Sequence, residues 1–219
     1  MILISRRISF AALIVLAAAA QGAKAQEPGA ETPAAEAKAD HGIPPYTPAD
    51  VHFMQGMIHH HAQAVVMARW AESHGARPDV VTLCKRIDVS QRDEIRTMQT
   101  WLHDRHLDAP NPDFRYPDTG MAGMPGMSSG SPLMPGMLTA EQMAALDKAR
   151  GKDWDRLFLV DMIQHHLGAL TMVDELFDAK GAAQDDRVFK FASDVNSDQT
   201  AEIGRMRAML ESTFSNSGQ

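Results

Sequence analysis

The chain has 219 residues, with 15 Met and 10 His but a single Cys. One Cys excludes a disulfide-stapled scaffold and any zinc module that needs two or more cysteine ligands. A formal net charge of −7 argues against a nucleic-acid binder, because phosphate neutralisation needs a surplus of Lys and Arg, and the 44% of apolar residues are enough for one ordinary globular core.

Residues 1–25 predict a secretory signal peptide. Arg6 and Arg7 precede an apolar run over 8–20, and an Ala-x-Ala cleavage site ends at Ala25. A membrane anchor is the alternative, but spanning a bilayer needs about 20 apolar residues. We therefore expect a periplasmic or secreted protein, cut after Ala25, without stable membrane insertion after cleavage. Cleavage leaves 18 basic and 28 acidic residues, a net charge of −10.

The first half of the mature chain predicts a tether and two helices. Residues 26–46 are rich in Ala, Glu, Pro and Lys without periodicity, which is typical of a flexible tether. Thr47 and Pro48 predict an N-cap and a first helical turn, with the helix running to about residue 74. A second helix is expected over 78–107. Residues 108–138 form a Pro-, Gly- and Met-rich loop.

The second half predicts three further helices. Thr139 and Gln142 match a capping box for a short helix that ends near residue 150. A longer helix is expected over 153–179, and a last one over 184–213. Because no segment shows the period-2 alternation of a half-buried strand, the chain is expected to be all-α.

The two halves repeat each other. Residues 57–64 read MIHHHAQA and residues 162–169 read MIQHHLGA, 105 positions later. In the helix that follows each copy, Gln-x-x-Glu-Ile-x-x-Met occurs at 91–98 and again at 199–206. One helical hairpin cannot bury its apolar face alone. We therefore expect the two hairpins to pack as an antiparallel, ferritin-like four-helix bundle over 47–213.

Each repeat places histidine between methionines on one helical stripe. Thioether sulfur selects soft ions, Cu(I) above all, and imidazole also accepts copper. Ferritin-like di-iron sites use Glu-x-x-His pairs, which the sequence lacks, so copper is preferred. Packing by Met and hydrogen-bonded core His remains the alternative. The candidate ligands are Met57, His60, His61 and Met67, with Met162, His165, His166 and Met172 in the second copy.

Helices 2 and 5 each carry a Glu on or beside the apolar stripe. Glu94 and Glu202 are expected either to hold the ring nitrogens of the histidines or to pair with Arg at a solvated edge. Cys84 lies on the same stripe without a partner and is expected to be buried and inert. His52, His74, His103 and His106 are expected at the surface.

The long loop carries five further candidate ligands within seventeen residues. A Gly- and Pro-rich loop has no core of its own in which to bury them, and mobile thioethers can wrap Cu(I). Low-complexity sequence without function is the alternative. These residues are Met121, Met124, Met127, Met134 and Met137.

The motif in helix 1 reads Phe53-Met54-x-x-Met57-Ile58-x-His60-His61-x-x-Ala64-x-x-Met67-Ala68, with a second copy from Phe158 to Met172. Together with the two Gln-x-x-Glu-Ile-x-x-Met segments, it resembles the domain of unknown function family 305, over residues 47–212. The resemblance implies a ferritin-like, exported bundle that binds copper through the His and Met named above and aids copper tolerance. His59, where the family usually has Pro, and Gln164 depart from its pattern.

These features favour a non-enzymatic protein that sequesters or carries Cu(I), with Cu(II) also accepted, and that exchanges copper with an exporter or another copper-handling protein. No nucleophile–base pair or phosphate-binding loop supports catalysis. A copper or iron redox enzyme built on the bundle, and a structural bundle without metal, are the competing hypotheses.

Overall fold

The computed structural model describes residues 45–112, 114 and 133–215. This part of the chain contains helices and no strand, which confirms the all-α class. The predicted signal peptide, nearly all of the tether, and Met121, Met124 and Met127 lie outside the described residues. The helices are α1 Pro48–Arg69, α2 Pro78–His103, α3 Ala140–Lys148, α4 Gly151–Asp178 and α5 Asp186–Ser215.

The predicted helix starts at Thr47 and Thr139 are confirmed by their hydrogen bonds. Each threonine side chain accepts a bond from the third residue of its helix, and the side chain of Asp50 or Gln142 accepts one in return from the cap backbone. Both are complete capping boxes, which satisfy two otherwise free N–H groups. The exact bounds differ most at the end of α1, which stops at Arg69 rather than near residue 74.

The expectation that His74 lies at the surface is wrong, since only 5% of it is exposed. Its Nδ1 lies 2.9 Å from the carbonyl of Trp70, and its Nε2 lies 2.9 Å from the carbonyl of Asp147. The ring thus joins the turn after α1 to α3. Apolar periodicity could not show this, because the anchoring acceptors are backbone carbonyls. His52, His103 and His106 are exposed, as expected.

The four long helices pack as two hairpins that run antiparallel to each other. A short turn joins α1 to α2, and another joins α4 to α5. His60 on α1 faces His165 on α4 at the centre, while the backbone of His74 bonds Gly151 at the start of α4. The end of α1 therefore meets the beginning of α4, as an antiparallel bundle requires.

Two buried aspartates at matching repeat positions tie the hairpins together. Asp50 accepts a hydrogen bond from the backbone N–H of Ala183, before α5, at 2.7 Å. Asp155 accepts one from the backbone N–H of Arg77, before α2, at 3.2 Å. Each carboxylate thus satisfies a free N–H at the junction of the opposite hairpin, which fixes the relative position of the two repeats.

The apolar core forms two clusters on either side of the histidine layer. One contains Phe53, Met57 and Met172, and the other contains Met67 and Met162. All stripe residues predicted from the helical period are buried, which confirms the inward faces of α1 and α4. Among the described residues, no helix is both long and apolar enough to cross a membrane.

Candidate metal centre

His60 and His165 meet where α1 and α4 cross. Their ring centroids are 3.8 Å apart, with an angle of 37° between the ring planes. Neither residue is exposed to solvent. The two imidazoles come together because each occupies the middle of its repeat's inward stripe, so that the antiparallel crossing superposes the two positions.

The neighbouring histidines are each held by a glutamate from the second helix of their own hairpin. Nε2 of His61 donates to Glu94 at 2.5 Å, and Nε2 of His166 donates to Glu202 at 2.7 Å. Both histidines are fully buried, whereas the glutamate side chains are 19% and 13% exposed. The sequence left open whether these glutamates hold histidine or pair with Arg, and both of them contact histidine. Arg205 also lies 4.0 Å from Glu202.

The hydrogen bonds leave ring nitrogens without partners inside the protein. Nε2 of His60 donates to the carbonyl of Pro135 at 3.0 Å. Nδ1 of His60, His61 and His166 has no partner, and neither has either nitrogen of His165. Buried polar atoms nearly always find a partner, and five atoms without one lie together in this layer, while Gln91, Gln199 and Trp154 carry others. A metal ligand needs this arrangement, with one nitrogen held by an acceptor and the other free.

Burial keeps the central imidazoles neutral. It lowers the pKa of His60 to about 3, and the charges of His61 and His166 act in the same direction. Burial, with the neighbouring histidines, also lowers the pKa of His165 well below its ordinary value. For Glu94, burial favours the neutral acid, but the hydrogen bond and charge of His61 outweigh it and lower the pKa. At neutral pH His60 and His165 are thus uncharged imidazoles, the protonation state in which histidine binds metals.

The candidate methionines flank this histidine layer on both sides. Met57 and Met162 are fully buried one helical turn from His60 and His165, and Met67 is fully buried two turns from His60. Met172 is 8% exposed and packs beside Gly56 together with Met134. The structure therefore brings the four histidines together and distributes the methionines between the two apolar clusters.

The end of the long loop docks across α1 and α4, which the sequence did not predict. Gln63 exchanges two hydrogen bonds with the backbone of Leu138, at 3.1 and 2.8 Å, and Gln164 donates to the carbonyl of Gly136 at 3.3 Å. A Cβ on Gly168 would lie only 2.0 Å from the oxygen of Pro135, so glycine is needed for this approach. An isolated glycine inside the α4 pattern was the available sequence signal.

Docking of the loop end reduces the solvent exposure of its two methionines. Met137 is only 4% exposed, so the expectation that it would be an exposed thioether is wrong. Its side chain is buried because the backbone of 135–138 is hydrogen-bonded to the bundle. Met134 is half-buried. His59 is half-buried, and its Nδ1 is without a partner.

The donor set of the described residues favours a soft ion. Within 45–112, 114 and 133–212, no three His, Cys, Asp or Glu side chains are grouped to hold a metal ion. A site in this region would therefore combine imidazole nitrogen with thioether sulfur or bind the ion with few ligands. Such donor sets suit Cu(I), whereas zinc sites use thiolate, imidazole and carboxylate.

Residues 50–210 match the family model described as "Domain of unknown function (DUF305)". Among solved structures, a DUF305 fragment from Deinococcus radiodurans is 29% identical, with a TM-score of 0.61 over 77% of this chain and 99% of that one. CopM in the Cu(II)-bound form is 27% identical, with a TM-score of 0.57 over 74% of this chain and 96% of that one. Uncharacterized protein L153 of Acanthamoeba polyphaga mimivirus is 34% identical over 58 residues, 26% of this chain and 38% of that protein's length.

Proposed function

This chain belongs to the DUF305 family, and we propose that it is an exported copper-binding protein that sequesters or carries Cu(I) and Cu(II) through His and Met ligands. The copper would be cargo, exchanged with an exporter or another copper-handling protein, and the role would be copper tolerance. The proposed location follows from the predicted signal peptide over 1–25.

The observation that carries the proposal is the layer of unpartnered ring nitrogens. Five buried nitrogens of four histidines lack a hydrogen bond, and in three of these histidines the opposite nitrogen is held by an acceptor. A purely structural core would leave these groups unsatisfied at a cost of about 1–3 kcal/mol each. A bound cation offsets this cost.

The identity of the cargo is supported by the sulfur atoms around the layer and by the relative. Met57 and Met162 supply buried thioethers within one turn of the crossing histidines. CopM, to which the chain is similar over most of its length, has been solved with Cu(II) bound. The acidic mature chain attracts cations generally, though weakly at physiological salt.

An anaerobic Cu(I) titration of the purified protein, followed by mass spectrometry of the loaded species, tests the proposal. The double variant His60→Ala with His165→Ala should bind less copper than the wild type. The matched control is His103→Ala with His106→Ala, which changes two exposed histidines and should bind as the wild type does. Equal stoichiometry in all three proteins, each checked for helical content by circular dichroism, would favour a bundle whose histidines only pack.

We further propose that binding, rather than catalysis, is the function. The four histidines are fully buried, so a substrate has no direct approach to them. The copper-loaded protein should therefore consume no O2 in the presence of a reductant beyond what free copper at the same concentration consumes. Sustained turnover by the loaded protein would instead support a redox enzyme.

A further inference from the structure

A small cavity lies outside the histidine layer, between the start of α1, the end of α4 and the end of the long loop. Its volume is about 120 Å³. Its lining includes one imidazole, two thioethers and one carboxylate, from His52, Met134, Met172 and Glu175. No histidine of the central layer lines it.

Gly56 brings the two sulfur-bearing side chains together. A Cβ on Gly56 would lie 3.4 Å from Sδ of Met134 and 3.5 Å from Cε of Met172. These two atoms are therefore no more than about 6.9 Å apart, although one belongs to the loop and the other to α4. Both methionine side chains therefore pack against the bare backbone at Gly56.

His52 lies one helical turn before Gly56 on the same face of α1. Residues four apart on a helix are neighbours, with Cβ atoms about 5–6 Å apart. The His52 side chain is exposed, in contrast to the histidines of the central layer. Glu175 follows Met172 by three residues, which places its carboxylate on the same face of α4 beside the cavity.

The second repeat does not carry the residues of this cavity at the equivalent positions. The positions 105 residues after His52 and Gly56 are Leu157 and Asp161, so both the imidazole and the glycine are replaced there. The central histidines repeat, but the cavity residues do not. Duplication of a packing motif therefore does not explain this group of side chains.

We propose that His52, Met134 and Met172 form a second site, open to solvent and distinct from the histidine layer, that binds Cu(I). Two thioethers with one imidazole are soft, mostly uncharged ligands that select a monovalent soft cation. The carboxylate of Glu175 attracts the cation to the cavity. The inference rests on the proposed copper function for the identity of its cargo.

The proposed site is close in sequence to a contact of the histidine layer, which suits a role in copper uptake. The residue after Met134 is Pro135, whose carbonyl accepts the hydrogen bond from His60. One peptide unit thus separates a ligand of the solvent-facing site from a contact of the buried layer. Copper bound in the cavity would lie beside the loop segment that contacts His60.

The test is a titration of the purified protein with Ag(I), a redox-inert monovalent soft ion, followed by NMR of 13C-labelled methionine methyl groups and by mass spectrometry. The methyl signals of Met134 and Met172 should shift in the same step. His52→Gln, Met134→Leu and Met172→Leu should each bind one equivalent less than the wild type. Exposed His52 should tolerate replacement, and Met→Leu conserves volume, so the fold is retained.

Matched controls are His103→Gln, an exposed histidine on α2, and Met143→Leu, a buried methionine on α3, which should both keep the wild-type stoichiometry. The inference is overturned if His52→Gln binds as many equivalents as the wild type, or if the two methyl signals respond in separate steps. The joint shift of the Met134 and Met172 methyl signals on addition of Ag(I) should persist in the variant His60→Ala with His165→Ala. If His60→Ala with His165→Ala binds as much metal as the wild type while His52→Gln binds one equivalent less, the proposed function is contradicted and this site stands. If the double variant binds less metal but His52→Gln binds as much as the wild type, only this site is contradicted.

Discussion

Gly168→Ala is expected to destabilise the protein, although alanine is normally the better helix former. The added Cβ would lie 2.0 Å from the oxygen and 2.3 Å from the carbon of Pro135. Both are backbone atoms, so the conflict cannot be relieved by turning a flexible side chain. The loop end must therefore move away from α4 by more than 1 Å to reach an ordinary contact of about 3.4 Å.

The magnitude follows from the contacts that this movement breaks. The hydrogen bonds from His60 to Pro135 and from Gln164 to Gly136 contribute together about 1–3 kcal/mol. Partial exposure of Met137 removes about 1–2 kcal/mol of hydrophobic stabilisation. Greater helix propensity returns about 1 kcal/mol. We expect the free energy of unfolding to fall by about 2 kcal/mol.

Gly204→Ala is the matched control, because Gly204 also lies inside a helix but has no atom within 4 Å of an added Cβ. It should raise the free energy of unfolding by about 0.5–1 kcal/mol. Urea denaturation of both variants and of the wild type gives the comparison. If Gly168→Ala were stabilised as much as Gly204→Ala, the loop end would not be docked on α4, and the account of the Pro135 contact with His60 would be refuted.

Three further outcomes are expected. Glu94→Gln should weaken copper binding about 10–100-fold in chelator competition, since it removes the carboxylate that holds His61, whereas Asp93→Asn, at an exposed neighbouring position, should have no effect. Burial raises the pKa of Asp161 to about 6, so its ionisation destabilises the fold as pH rises from about 4. The shift corresponds to about 3 kcal/mol without screening, so with screening by solvent Asp161→Asn should gain about 2 kcal/mol in urea denaturation at pH 7 and less than about 1 kcal/mol at pH 4. Burial also raises the pKa of the Cys84 thiol, which should resist alkylation at pH 8 until urea unfolds the protein.

The helical period and the repeat were sufficient to predict the bundle and the histidine layer. Met57, His60 and Ala64 fall on one stripe of α1 by rotation alone, and all three are fully buried. The 105-residue offset placed His165 opposite His60, because two equivalent stripes that pack antiparallel meet at equivalent positions. The contacts of Glu94 and Glu202 could be anticipated only as one of two alternatives, since the stripe gives a face but not a partner.

The docking of the loop could not be predicted in the same way. A Pro- and Gly-rich segment has no apolar period, so its position is set by backbone hydrogen bonds to side chains distant in sequence. Gln63 and Leu138 are 75 residues apart. His74 was misplaced for the same reason, because its ring is held mainly by the carbonyls of Trp70 and Asp147, which no residue pattern reveals. The approach of Met134 in the loop to Met172 on α4 could not be predicted either, because the two residues meet only in the folded chain.

Two of the positions at which the repeats differ hold the loop. Gln63 bonds Leu138, whereas its counterpart Gly168 admits the Pro135 carbonyl; Gln164, the counterpart of His59, bonds Gly136. If the two hairpins were identical, His60 and His165 would have identical surroundings.

The docked loop makes the two crossing histidines different. His60 donates to Pro135 through Nε2 and keeps Nδ1 free, while His165 has no hydrogen-bond partner at either nitrogen. The tautomer of His60 is therefore fixed by the loop, whereas no hydrogen bond of comparable geometry fixes that of His165. The helical repeat places His60 and His165 together, and the loop, which of the two hydrogen-bonds only His60, determines which nitrogen of that ring is free to bind a cation.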